Sequence, residues 1–68
     1  MKKVLPQQRL LLELIVQSGD IAVPAEDNDT VLYRTLMECK DAGWLMIKPH
    51  GSGFNMASIT DLGRQRAE

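Results

Sequence analysis

Few side chains in this sequence could take part in catalysis or metal binding. The chain has one cysteine, Cys39, and one histidine, His50. A zinc site needs several cysteine, histidine or carboxylate ligands at short spacing, and a nucleophile needs a base within reach. Neither pattern is present, and the segment Gly51–Gly53 is too short to cradle a phosphate group. We therefore expect no enzyme activity, no metal ion and no cofactor.

Cys39 lies in an apolar stretch with helical character. A cysteine in such a setting usually packs as a small hydrophobic side chain, whereas a reactive thiol needs an accessible, electropositive environment. A lone cysteine also cannot form an internal disulfide. We expect a buried thiol.

Size and composition favour one small globular domain over residues 1–68. The chain has 68 residues, of which 44% are hydrophobic and 25% charged, and its formal net charge is −1. The residues after Lys3 do not continue as the long apolar run of a secretory signal or a membrane span, so we expect a cytoplasmic protein. The net charge provides no overall positive field that would attract nucleic acid.

Two helices are predicted on either side of a polar connector. The first covers residues 7–17, begins beside Pro6 and ends before Gly19. Its apolar residues recur at helical spacing and predict a buried face: Leu10, Leu11, Leu14 and Ile15. The second covers about residues 30–42, with a polar cluster of N-cap residue types over residues 26–30 before it and Gly43 after its end. Its predicted inward face comprises Leu32, Leu36 and Cys39.

The hydrophobic pattern then changes to the two-residue period of a strand. Residues 44–48 and 54–59 are predicted strands joined by a glycine-rich turn over residues 49–53, and Thr60 is predicted to cap a short final helix. Residues 21–23 are a candidate third strand. Because a bare hairpin is marginal in water, it must pack against the helices. The predicted fold is therefore a compact α+β domain in which two main helices pack together, a β-hairpin lies on their flank and a short C-terminal helix follows.

Two short motifs carry a family resemblance. The second helix ends in Ala42–Leu45 (AGWL), and the chain leaves the hairpin through Ile59–Arg64 (ITDLGR). With the order of elements, these motifs resemble the small bacterial and phage winged-helix domains of the MarR and PadR type, over about residues 7–67. The resemblance implies a DNA-binding transcriptional regulator that acts on double-stranded DNA, with a homodimer as a candidate assembly.

Under this interpretation the predicted hairpin is the wing of the winged helix. The DNA contacts would come from the second helix, the tip of the wing and basic residues near the termini. The candidate residues are Arg34, Lys48, His50, Arg64 and Arg66, with Lys2, Lys3 and Arg9 contributing to a terminal basic patch if the termini converge. Each also has a simpler interpretation: Arg34 would lie on a solvated helix face and pair with Glu38, and Lys48 and His50 would only increase solubility.

The connector favours a different function. It leaves room for at most one turn of the supporting helix that a helix-turn-helix requires. It holds Asp20, Glu26, Asp27 and Asp29 and no lysine or arginine, and these carboxylates would repel phosphates. The alternative is a protein-interaction module, for example a small phage-encoded inhibitor or adaptor, that contacts its partner through residues 20–29. Basic side chains gathered on the helix-and-wing face would favour DNA, and scattered ones would favour a protein partner.

Overall fold

A computed structural model describes residues 3–68, which form three helices and three strands in an α+β fold. Their bounds are α1 (Pro6–Ser18), β1 (Ile21–Pro24), α2 (Val31–Asp41), β2 (Leu45–Gly51), β3 (Phe54–Ile59) and α3 (Asp61–Ala67). The radius of gyration is 11.1 Å, close to the roughly 11 Å expected for a compact chain of this length. The predicted order of elements is confirmed.

The three strands form one antiparallel sheet in the order β1-β3-β2. The candidate third strand is confirmed, because β1 pairs with β3 and places Ile21 opposite Ala57. Successive side chains alternate between the two faces of the sheet. Val23 and Leu45 are buried on the face towards the helices, whereas Met46 is exposed on the other face.

The hairpin turn is shorter than predicted. β2 continues through Pro49 to Gly51, which pairs with Phe54, so that only residues 52–53 form the turn. A proline is tolerated here because β2 is an edge strand, where one side of the backbone has no partner. The predicted turn over residues 49–53 was therefore wrong. Lys48 lies within the strand opposite Met56 and not at the tip.

The core lies between the inner face of the sheet and the helices α1 and α2. Its buried hydrophobic residues are Leu11, Leu12, Ile15, Val23, Leu36, Cys39, Trp44, Leu45 and Ala57. Burial of Leu11, Ile15, Leu36 and Cys39 was predicted and is confirmed.

Three residues that were predicted to be buried are exposed. Leu10 is 71% exposed, and Leu14 and Leu32 are each 49% exposed. Leu10 and Leu14 each precede a buried residue by one position, and one position rotates a side chain by about 100° around the helix. They therefore point away from the core, and no other element of the described chain covers them. Leu32 lies in the first turn of α2, beside them.

The end of α2 confirms the predicted helix-stop motif. Gly43 has φ +83°, a left-handed conformation that glycine adopts without strain. The Trp44 amide donates to the Cys39 carbonyl at 2.9 Å, and the Gly43 amide donates to the Lys40 carbonyl at 3.0 Å. These two bonds form a Schellman motif, which turns the chain directly from α2 into β2.

The two sequence motifs meet at one corner of the fold. The Thr60 amide donates to the Trp44 carbonyl at 3.1 Å. The Thr60 hydroxyl donates to the Gly43 carbonyl at 2.7 Å and accepts from the Gly63 amide at 3.0 Å. A Cβ atom at Gly63 would overlap the Trp44 carbonyl oxygen. Both motifs are therefore explained by the close approach of α3 to the start of β2.

A buried side-chain amide joins α1 to α2. Gln8 is 7% exposed. Its carbonyl oxygen accepts from the Leu5 amide at 2.9 Å, and its nitrogen donates to a Glu38 carboxylate oxygen at 3.0 Å. The first bond satisfies a free amide at the start of α1, and the second fixes α1 against α2.

Replacing Gly63 by alanine should destabilise the protein by ~2 kcal/mol, because the added methyl group must displace the Trp44 backbone. In an unconstrained helix, replacing glycine by alanine normally stabilises the helix by up to about 1 kcal/mol. A loss of stability would therefore indicate that the added methyl group has no room. Chemical denaturation measures it. Gln65→Ala, at an exposed position of α3, is the control and should change stability by less than about 0.5 kcal/mol. A G63A variant as stable as the wild type would contradict the close approach.

Candidate functional site

The outward face of α2 and the loop before it carry a cluster of carboxylates. A shallow concavity of about 260 Å³ lies there, lined by Asp27, Asp29, Thr30, Tyr33, Arg34, Met37, Glu38 and Asp41. We call its four carboxylates the acidic surface: Asp27, Asp29, Glu38 and Asp41. Arg34 is the one basic residue in this lining. Four negative charges against one positive charge leave a formal charge of −3 (−4 + 1).

Short hydrogen bonds hold the loop in front of α2. The Asp29 amide donates to the Asp27 carboxylate at 2.8 Å, and the Thr30 hydroxyl donates to the Asn28 side chain at 2.6 Å. Thr30, one of the five polar residues that the sequence offers as N-caps, is the N-cap of α2 and accepts from the Tyr33 amide at 3.1 Å. Negative side chains are favoured at this end because the helix dipole is positive there.

The connector does not contain the supporting helix of a helix-turn-helix. Residues 25–30 form bends and irregular backbone between β1 and α2. β1 also divides the predicted acidic segment 20–29, since Asp20 precedes the strand and Glu26 follows it. A four-residue strand is about 13 Å long, so these two exposed carboxylates lie at opposite ends. Glu38 and Asp41 join the acidic surface instead. The sequence predicts them on the same outward face of the second helix as Arg34, and all three line this concavity.

The predicted basic residues near the termini lie in separate places. Arg64 shares a depression with Glu13 and Glu68. Lys3 shares another depression with Glu38 and the end of α2. Each of these cations therefore lies beside carboxylates, which weakens the field it presents to a phosphate.

The remaining predicted basic residues lie on other elements. Arg66 is half-buried on α3, and its Nε atom is buried without a hydrogen-bond partner in the described structure. Lys48 projects from the outward face of β2. His50 is exposed, and its ring centroid is 5.6 Å from that of Phe54. Lys2 is outside the described residues. Arg9 is exposed on α1. The predicted basic residues that the structure describes are thus distributed over the segment before α1, all three helices and the hairpin.

A second surface feature is an apolar groove between α1 and the first turn of α2. Its volume is about 420 Å³, and it is lined by Gln7, Leu10, Leu11, Glu13, Leu14, Gln17, Val31, Leu32 and Thr35. Leu10 and Val31 are 71% and 68% exposed. Sequence reasoning missed the groove because it assigned the leucines to the core. The signal was available, since α1 carries more apolar residues than one buried face can hold.

Cys39 does not offer a reactive thiolate in the folded protein. Its side chain is fully buried. Burial, together with the negative charge of Glu38, raises the pKa of the Cys39 thiol to about 11. The thiol is therefore protonated at neutral pH, as expected for a buried side chain.

Residues 3–68 contain neither a candidate metal site nor a candidate membrane-spanning helix. They contain no cluster of three or more histidine, cysteine, aspartate or glutamate residues that could hold a metal ion. None of the described helices has the length and apolar character needed to cross a membrane.

Comparison with known proteins found no matching family model, no matching curated protein and no matching solved structure. The winged-helix resemblance therefore depends on the two motifs and on the topology of the chain.

Alkylation of Cys39 should be very slow in the native protein and fast after unfolding. At pH 8 the folded thiol, with a pKa of about 11, is almost entirely protonated, whereas an unfolded cysteine with a pKa of about 8.5 is partly thiolate. Mass spectrometry after timed iodoacetamide treatment, with and without denaturant, measures both rates. Equal rates under the two conditions would show that Cys39 is accessible in the fold.

Proposed function

We propose that this chain is a winged-helix protein-interaction module that binds a basic surface of another protein through its acidic surface. The order of elements, the strand order β1-β3-β2 and the hydrogen-bonded corner between the two motifs support the winged-helix assignment. A small inhibitor or adaptor of a larger assembly is the kind of protein that this describes.

The observation that carries the proposal is the charge on the outward face of α2. In a winged helix that reads DNA, the N-terminal end of this helix enters the major groove, between the two phosphate backbones. Here the same region has a formal charge of −3, which would repel phosphates. Lysine and arginine side chains of a partner protein would instead find complementary charge, which increases the association rate and selects the partner.

The loop geometry favours recognition of a folded partner. Asp27 and Asp29 belong to a loop that is held by its own hydrogen bonds, and Asp41 is on a helix. Because these carboxylates are already positioned, little conformational entropy is lost when a partner binds. The acidic surface would in this way present negative charges to a basic, nucleic-acid-binding partner, as phosphates do.

DNA binding through the hairpin is the second candidate function. Lys48 and His50 are exposed on β2, and a wing can contact the DNA backbone independently of the helix before it. Such a contact would use the outward face of the hairpin, opposite the face that packs on the helices. Few cations are available for this mode, so DNA binding by the hairpin alone would be weak at most.

Neutralising two carboxylates of the acidic surface should weaken binding to a basic probe. The probe is a fluorescein-labelled arginine-rich peptide, and the variant is D29N/D41N, in which asparagine is compatible with the positive φ of Asp29. Two exposed charge pairs contribute roughly 1–2 kcal/mol together, so affinity measured by anisotropy should fall roughly fivefold to thirtyfold. The matched control D20N/E68Q changes the net charge equally, away from the acidic surface. Equal weakening in both variants would contradict the proposal.

The same assay with a random-sequence DNA duplex separates the two candidate functions. We expect the wild-type protein not to bind the duplex even at low salt, because the α2 face repels phosphates. Binding that weakens steeply as salt is raised would indicate several phosphate contacts. If K48E then reduced that binding, the hairpin would be the DNA-contacting element and the proposed protein-interaction function would be overturned.

A further inference from the structure

The apolar groove leaves large aliphatic side chains open to solvent on a small protein. Leu10, Leu14, Val31 and Leu32 are each about half exposed or more, and all four line the same groove. Contiguous apolar surface of this kind usually marks a contact with another molecule. We infer that the groove binds the same groove of a second copy of this chain, with the two α1 helices antiparallel. This inference does not depend on the acidic surface.

The stripe of α1 that lines the groove has the same residue types at the same spacings in both chain directions. It consists of Gln7, Leu10, Leu14 and Gln17, separated by three, four and three residues. A two-fold axis that crosses α1 near its middle would place Leu10 opposite Leu14 of the second copy. It would also place Gln7 opposite Gln17 of the second copy, and two side-chain amides can hydrogen-bond to each other. An isologous contact requires this self-complementarity.

The charges beside the stripe also favour an antiparallel pair. Arg9 and Glu13 lie on the same side of the stripe, one helical turn apart. In an antiparallel pair centred between Leu10 and Leu14, Arg9 of each copy approaches Glu13 of the other. In a parallel pair of helices, Arg9 would instead lie level with Arg9 of the second copy, and Glu13 level with Glu13 of the second copy, so that like charges would face each other. Glu13 is the one charged residue that lines the groove, and the antiparallel contact brings Arg9 of the second copy towards it.

The size of the groove indicates a weak dimer. A standard interface buries about 800 Å² on each partner, and four partly exposed aliphatic side chains supply only part of that area. We therefore expect a dissociation constant of roughly micromolar magnitude or weaker. In the dimer, a leucine from each copy would enter the groove of the other and cover the side chains that α1 leaves exposed.

Sedimentation velocity on the full chain, from about 10 µM to 1 mM, tests the dimer. The wild-type mass should rise with concentration from 7.6 kDa towards twice that value. Leu10→Glu should stay monomeric throughout this range, and its fold should be retained because Leu10 is 71% exposed. The matched control is Met46→Glu, which changes a 49% exposed residue on the outward face of the sheet and should dimerise like the wild type.

Two outcomes of this measurement would overturn the inference. One is a wild-type protein that is monomeric at 1 mM, which would leave the groove to a different protein. The other is a Leu10→Glu variant that dimerises as strongly as the wild type, which would place the contact elsewhere on the chain. Circular dichroism of each variant confirms that the compared proteins are folded.

Mixing two charge variants tests the antiparallel arrangement. Arg9→Glu alone and Glu13→Arg alone should each dimerise roughly tenfold more weakly, because each brings like charges together across the axis. A 1:1 mixture of the two should form a mixed dimer at least as tight as the wild type, since every facing pair is then of opposite charge. Pairing within one helix cannot produce this recovery. A mixture that associates no better than its separate components would overturn the antiparallel geometry.

Discussion

The contact between the start of β2 and the start of α3 is the constraint on which the rest of the fold depends. The Trp44 carbonyl accepts the Thr60 amide, and the backbone at Gly63 lies so close to that carbonyl that a side chain cannot fit between them. α2 enters this corner through Gly43, and the Trp44 side chain fills the core beneath it. One corner therefore fixes the relative positions of α2, the hairpin and α3.

This corner also explains why the motifs indicate the fold and not the ligand. Gly43, Thr60 and Gly63 are committed to helix ends and close packing, so their presence is compatible with any partner. What a partner would meet is the outward side of α2, whose orientation is set by the bond between Gln8 and Glu38. That side carries the acidic surface. The charge of the exposed face, and not the motif behind it, is the better guide to function.

Both candidate surfaces include residues of α2. The acidic surface occupies one side of this helix, and Val31 and Leu32 open the apolar groove on another. A chain of 68 residues buries only roughly 60% of the surface that its unfolded form exposes. Its helices therefore cannot be covered all round, and a short helix can present two chemically different faces. In the proposed dimer the acidic surfaces would remain open to other partners.

The sequence by itself determined the features that depend on neighbouring residues. The helix start at Thr30, the helix stop at Gly43, the cap at Thr60 and the third strand follow from local signals, because caps and strand periods involve residues a few positions apart. Tertiary structure alone decided which apolar residues are covered. Leu10 and Leu11 are adjacent and chemically identical, but one is 71% and the other 5% exposed. The number of apolar residues on α1 indicates that some of them stay uncovered, but which ones do so depends on the element that packs against each face, and no local signal encodes that.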